Sequence, residues 1–244
     1  MVVRGEQTMV AERRPLFEDK DPPRLDVNPF VALHRELQPT LLPASEAWRF
    51  RGRWDAVFGR SAPLHVEIGC GNGFFLSSFA AAHPEYNVIG LEIRYKRTVL
   101  STRKLLTAGV QNARVVRYDA TCLEDLFEPA SLSGLYVNHP DPWPKDRHEK
   151  HRLIALPFLR DAALYLRPGA PLRVKSDHHP NVDRVPIVLA AATAAGTPLP
   201  FDITAVVHDV DTLGVPWEDH ETNYHRKSRD KGLKVAAVEV VRRP

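Results

Sequence analysis

The sequence predicts a doubly wound α/β domain on a mostly parallel sheet, with an antiparallel hairpin at one edge. Three observations carry the prediction. Short apolar runs alternate with helical stretches from Leu64 to Ala194, the pattern of parallel strands joined by crossover helices. A glycine-rich turn, Gly69-Cys70-Gly71-Asn72-Gly73, falls between the first such strand and the first helix. The last two strand-like runs have no convincing helix between them, so they read as an antiparallel pair.

Residues 1–60 are polar and interrupted by proline, which reads as a partly extended N-terminal arm. Trp48 and the segment 54–58 are its anchors onto a domain spanning 61–244. In that domain, 64–68 reads as a strand and 69–73 as a tight turn. Residues 74–82 form a helix closed by His83-Pro84. A strand over 87–91, a helix over 96–108 stopped by Gly109, and a strand over 113–118 follow. The strand at 134–138 runs into a loop, His139-Pro140-Asp141-Pro142-Trp143-Pro144-Lys145. A helix over 156–166 ends at Arg167-Pro168-Gly169, and 171–175 is a strand. Residues 181–194 read as helical despite Pro186, and 201–210 and 233–241 form the closing pair. No internal repeat is evident.

Composition bounds the function. The chain has 244 residues, enough for one large α/β domain, and its 43% hydrophobic and 26% charged content fits a soluble globular protein. No apolar run approaches the roughly 18 residues of a membrane span. The N-terminus, with Arg4, Glu6, Glu12, Arg13 and Arg14, lacks the apolar core of a secretory signal, and Met9 offers an alternative start. Cys70 and Cys122 give neither a disulfide framework nor metal spacing, so a reduced, cytoplasmic setting is expected. Formal net charge is only +3, but cations concentrate in the arm, after Lys145, and over Arg226-Lys227-Ser228-Arg229-Asp230-Lys231. Taken singly, each of these reads as a solvated face.

The glycine turn departs from a dinucleotide fingerprint. G-x-G-x-x-G would put its third glycine at position 74, which is Phe74; Gly73 comes one residue early. An acid, Glu67, precedes the first glycine. This pattern resembles motif I of S-adenosylmethionine-dependent methyltransferases. Glu92 closes the second strand, where a carboxylate can take both ribose hydroxyls of an adenosine. Asp119 ends the third strand, within reach of an adenine amino group. Asp141 follows the fourth. Ligands collect at carboxyl ends of strands in open α/β sheets, so four acids at successive strand ends point to one site. Pro140, Pro142 and Pro144 stiffen the loop that holds Asp141 and Trp143, as a grip on a flat ring requires.

Residues from about 54 to 241 resemble the bacterial tRNA (guanine-N7)-methyltransferase family. The matching pieces are Val66-Glu67-Ile68-Gly69-Cys70-Gly71-Asn72-Gly73, Gly90-Leu91-Glu92-Ile93, Asn138-His139-Pro140-Asp141-Pro142-Trp143-Pro144-Lys145, Lys175-Ser176-Asp177 and Thr222-Asn223-Tyr224-His225-Arg226-Lys227. Amino-group methyltransferases usually carry Asp/Asn-Pro-Pro-Tyr or Phe after the fourth strand, a pattern that Trp143 and Pro144 break. The resemblance implies a Rossmann-like class I methyltransferase using S-adenosylmethionine, with tRNA as partner and a variable-loop guanine as target. It implies cofactor binding by Glu67, Gly69, Gly71, Gly73, Glu92, Asp119 and Asp141, with Asp141 also at the catalytic position. It implies substrate binding by Lys145, Asp177, Thr222, Asn223, Tyr224 and His225. The family usually has Glu where His225 stands and Phe where His139 stands.

Guanine N7 carries a lone pair and no proton, so the expected task is alignment rather than base catalysis. The residues also admit a methyltransferase on another RNA or a small molecule, or an RNA-binding protein whose cofactor site has lapsed. The pairs His148/His151 and His178/His179 come without a cysteine or acid cluster, and no metal is expected. Cys70 is expected to fill space in the turn. A monomer or homodimer is expected, and Arg4, Arg13, Arg14 and Arg24 suggest an arm reaching along tRNA.

Overall fold

A computed structural model of the protein describes residues 15–17 and 28–244. Arg4, Arg13, Arg14 and Arg24 of the basic arm lie outside the described residues. The chain from 28 onward forms helix α1 (Pro29–Glu36), strand β1 (Leu41–Leu42), and helices α2 (Ala44–Ala47) and α3 (Trp54–Phe58). The alternating unit then runs β2 (Leu64–Ile68), α4 (Phe74–Ala82), β3 (Asn87–Glu92), α5 (Tyr95–Thr107) and β4 (Ala113–Arg117). It continues with β5 (Leu132–Asn138), α6 (Leu156–Tyr165), β6 (Pro171–Ser176) and α7 (His179–Ala194). The chain closes with β7 (Phe201–Val207), α8 (Val210–Leu213), α9 (Asn223–Asp230) and β8 (Ala236–Arg242).

The strands make one eight-stranded sheet in the order β1-β4-β3-β2-β5-β6-β8-β7. All neighbours from β1 to β6 are parallel, and β8 is antiparallel to both β6 and β7. The doubly wound sheet with its antiparallel edge is therefore as the sequence predicts. The chain winds from β2 outward to β4, then returns to the other side of β2 as β5. That reversal opens a crevice above the carboxyl ends of β2 and β5.

Two apolar layers cover the faces. Phe75, Leu76, Phe79, Val99 and Leu105 from α4 and α5 pack with Val88 and Val115 on one side. Leu159, Ala162, Val182 and Val185 from α6 and α7 pack with Leu135, Val137 and Val174 on the other. Trp54 of α3 is buried, and its Nε1 donates to the Leu126 carbonyl at 2.8 Å. Among the described residues, no helix is long and apolar enough to cross a membrane.

The structure adds elements to the sequence reading, among them the helices α1, α2 and α3 before residue 61. β1 extends the sheet beyond β4 through Leu41↔Val115 and Leu42↔Val116, too short for any periodic signal. Two helices, α8 and α9, stand between the closing strands, where no convincing helix is expected from sequence. The run Asn223-Tyr224-His225-Arg226-Lys227-Ser228-Arg229-Asp230 has no aliphatic stripe, and only His225 and Ser228 are buried. It is held by its cap instead: Thr222 Oγ1 accepts from the His225 amide at 2.8 Å.

Candidate active site

The reversal point holds a cleft of about 310 Å³, lined from β2, β3, β4 and β5 by Glu67, Glu92, Asp119, Asn138 and Asp141. The glycine turn forms its floor. Gly69, Gly71 and Gly73 adopt φ of 68°, 55° and 74°, which favour glycine. Gly73 is the tightest: a Cβ there would sit 2.9 Å from the Ser101 Cα of α5. It caps α4 and does not line the cleft, whereas Gly69 and Gly71 do. Cys70 is buried, with its Sγ 3.6 Å from Ser101 Oγ. Burial holds its thiol well above the usual range, so it fills space as expected.

Glu67 is only 2% exposed. Asn138 Nδ2 donates to its Oε1 at 3.0 Å, while Oε2 is buried without a hydrogen-bond partner. Burial pushes this carboxyl up to about 7, against the opposing pull of Asn138 and, more weakly, Lys175. Glu92 holds the turn in place: its Oε2 accepts from the Gly71 amide at 3.2 Å and its Oε1 from the Arg94 amide at 2.9 Å. Asp119 accepts from both the amide and the hydroxyl of Thr121, at 2.9 and 2.8 Å, which fixes its carboxylate at the start of the 120–125 turn.

Asp141 is exposed on the proline loop. The loop is strained on both sides of it, with His139 at φ 50° and Trp143 at φ 38°. His139 is locked by its surroundings. Its amide donates to the Lys175 carbonyl at 2.7 Å, and its Nδ1 lies 2.9 Å from Asp177 Oδ1. Burial lowers the His139 pKa, and the His139 hydrogen bond holds Asp177 down at about 2. Ser228 of α9 donates to Asp177 Oδ2 at 3.0 Å, tying α9 to the end of β6. The Trp143 carbonyl accepts from Arg152 Nε at 3.0 Å, and its ring packs against His148 and His151.

The residues expected to meet substrate divide into two groups. Thr222, Asn223 and Tyr224 line the cleft at the start of α9. Tyr224 is 44% exposed and stacks on His139 at 5.7 Å. Lys145, Asp177 and His225 do not line it. Lys145 is exposed on the loop beyond Trp143. His225 is 3% exposed, and its Nε2 lies 3.1 and 3.2 Å from the Asp211 carboxylate of α8.

Sequence reasoning missed the basic rim. Arg97 of α5 donates to the Tyr224 hydroxyl at 3.3 Å across the cleft mouth. Desolvation pulls its pKa down, but Tyr224, Glu92 and Asp141 outweigh it and hold the guanidinium above its ordinary value. Lys104 Nζ and the Arg226 guanidinium lie 3.8 and 5.2 Å from the centroid of the Phe74 ring. Arg226 stood in a cationic run and a quoted motif, but Phe74, Arg97 and Lys104 come from α4 and α5, distant in sequence from α9, so no local pattern marked their meeting with it. Asn138 stood inside the quoted motif, but its grip on Glu67 needed the β2–β5 pairing to become visible.

Comparison with known proteins places the chain. The Methyltransf_4 methyltransferase family model matches residues 61–235. A tRNA (guanine-N(7)-)-methyltransferase of Limosilactobacillus fermentum is 41% identical over 150 residues, 62% of this chain and 67% of that protein. One of Listeria welshimeri is 36% identical over 190 residues, covering 78% and 85%. Among solved structures, the 16S rRNA methyltransferase KamB aligns with a TM-score of 0.55 at 17% identity, over 79% of this chain and 94% of its own. A 16S rRNA (adenine(1408)-N(1))-methyltransferase solved with its cosubstrate aligns at 0.51 and 16% identity, over 79% and 91%. At such identities these two speak for the fold alone.

Proposed function

The chain belongs to the bacterial tRNA (guanine-N7)-methyltransferase family, and we propose that it moves a methyl group from S-adenosylmethionine to N7 of a variable-loop guanine in tRNA. The observation that carries this reading is Glu67 Oε2, a buried carboxylate oxygen without a partner in the wall of a cleft ringed by strand-end acids. An unpaired buried carboxylate is costly, and an ammonium group is its natural complement. S-adenosylmethionine offers one in its amino-acid tail, and when bound it supplies an electrophilic methyl on a sulfonium. Glu67 would hold that tail, Glu92 the ribose hydroxyls and Asp119 the adenine amino group. Gly69 and Gly71 let the backbone approach closely.

Methyl transfer to N7 forms a nitrogen–carbon bond as a carbon–sulfur bond breaks, and no proton has to leave. The protein therefore aligns and stabilises charge. Asp141 orients the guanine by accepting from its ring N–H or amino group, and its carboxylate stabilises the positive charge developing on the purine. The proline loop gives Asp141 a fixed direction. Tyr224, Asn223 and Thr222 form the opposing wall, and Asp177 positions that wall through Ser228 and His139. Arg97, Lys104, Arg226 and Lys145 provide cations for the phosphates around the target base, in a cytoplasmic setting.

Incubation with methyl-labelled S-adenosylmethionine and unmodified tRNA, followed by digestion to nucleosides, tests the reading. Label in 7-methylguanosine at the variable loop is expected. Tight cofactor binding with no label in tRNA would move the substrate to another RNA or a small molecule.

A further inference from the structure

Away from the cleft, three donor groups converge where the end of α4 meets the loop between α8 and α9. His83 Nε2 lies 3.1 Å from Glu218 Oε2, and His220 Nε2 lies 3.4 Å from Glu218 Oε1. All three donor atoms fall within 4.8 Å of one another. Among the described residues, only this trio of His, Cys, Asp or Glu brings three donors so close. Ligands at about 2.0–2.2 Å from a tetrahedral ion stand roughly 3.3–3.6 Å apart. His220 Nε2 and Glu218 Oε1 are at that spacing at 3.4 Å, while His83 Nε2 faces the other carboxylate oxygen somewhat closer, at 3.1 Å.

Two independent features point to a cation. His220 is 8% exposed, and its Nε2 is buried with no hydrogen-bond partner although it faces Glu218. Its ring is held edge-on to Phe75 and Phe79, at 5.8 and 5.4 Å, so it cannot turn freely to find one. A buried polar atom left unpaired is costly, and coordination would remove that cost. The other nitrogen of His83, Nδ1, lies 3.3 Å from Glu85 Oε1. Metal-bound imidazoles ordinarily donate their second N–H to such a carboxylate, which leaves the Nε2 lone pair facing the trio.

We propose that His83, Glu218 and His220 bind a divalent transition ion, Zn²⁺ by ligand chemistry, which fastens the α8–α9 loop to α4. Two imidazoles and one carboxylate suit Zn²⁺, with water in the fourth position. Access is open, since the Glu218 and His83 side chains are 57% and 20% exposed. None of the three lines the cleft. Their loop nevertheless carries Asp219, which pairs with buried Lys175 Nζ at 2.6 Å, and leads directly into Thr222, Asn223 and Tyr224. The ion braces the substrate wall and takes no part in methyl transfer, so the proposal stands whatever the methyl acceptor.

Full-length protein stripped with a chelator and dialysed is titrated with Zn²⁺ against a chromophoric competitor, and in parallel with Co²⁺. The expected result is one tight Zn²⁺ per chain, visible Co²⁺ bands of tetrahedral intensity, and a Zn²⁺-dependent rise in Tm. Glu218→Gln and His83→Gln should each bind at least tenfold more weakly and lose the bands. Glu218 is exposed, so Glu218→Gln should fold, as circular dichroism and the urea midpoint would verify. His179→Asn with His208→Asn, which removes imidazoles elsewhere, should leave the tight site intact. Absence of stoichiometric binding, affinity unchanged in Glu218→Gln, or loss with the His179/His208 variant would overturn the proposal in favour of a plain His83–Glu218 ion pair.

Discussion

Substituting Glu67 by Gln should make the empty protein more stable and its cofactor binding weaker. Raising the carboxyl from its ordinary 4.5 to about 7 disfavours the ionised form in the fold by about 3 kcal/mol, at about 1.4 kcal/mol per pH unit. The unfolded chain releases this proton near 4.5 and the folded chain near 7. Between those values the folded state holds the extra proton, so stability falls as pH rises through that window. Below about 4.5 the group is protonated in both states and the penalty vanishes. Glu67→Gln keeps the shape and the Asn138 contact but never ionises. Urea unfolding should therefore show the variant more stable than wild type by up to about 3 kcal/mol at pH 8.5, with the difference shrinking towards pH 5. Calorimetry should show S-adenosylmethionine binding at least tenfold more weakly to the variant at pH 8, the loss of one charge-assisted contact of about 1.5–3 kcal/mol. Wild-type binding at pH 6 should release close to one proton from Glu67; at pH 8.5 that release should vanish, and binding of the tail as an ammonium should instead take up a proton. A stability difference that does not change with pH, together with unchanged affinity, would refute the reasoning.

Other expectations follow from the same geometry. Asp141→Asn should slow single-turnover methyl transfer by about 10²–10³-fold, or about 2.7–4 kcal/mol, while cofactor affinity changes much less; a rate within a few-fold of wild type removes Asp141 from the transition state. Lys145→Ala should lower the log–log salt slope of tRNA binding by about one, and an unchanged slope would assign the side chain to structure. His225→Glu restores the residue usual in the family, yet here it would face Asp211 at about the 3.1 Å now spanned by His225, with Asp219 also near. A loss of about 1–3 kcal/mol in urea unfolding is expected, and a neutral outcome would show that the loop repacks readily. Gly73→Ala should cost more than the roughly 1–2 kcal/mol of a left-handed backbone alone, because its Cβ meets Ser101; melting close to wild type would contradict the packing described.

Much of the fold was legible in the sequence because its signals are local. Period-two and helical runs, closed by Gly109, Pro84 and Gly169, mark elements one at a time, and the glycine turn between strand and helix marks a ligand end. The four acids were legible for the same reason: strand ends in a parallel sheet share one edge, so Glu67, Glu92, Asp119 and Asp141 needed only their strands to be found. β1 and α9 were not legible, one too short for a pattern and the other held by a cap and by His225 rather than by an aliphatic stripe. Sequence by itself determined the alternating strands and helices from β2 to β6, the antiparallel edge and the acids at the strand ends; the strand order and its reversal at β2 came with the structure. Tertiary structure alone decided how those acids are held. It buried Glu67 and left one oxygen unpaired, and it turned His225 away from the cleft onto Asp211. It also brought Arg97 to Tyr224 and His83 to Glu218 and His220. Such pairings join residues far apart in the chain, and burial and charge become definite only once the backbone has closed around them.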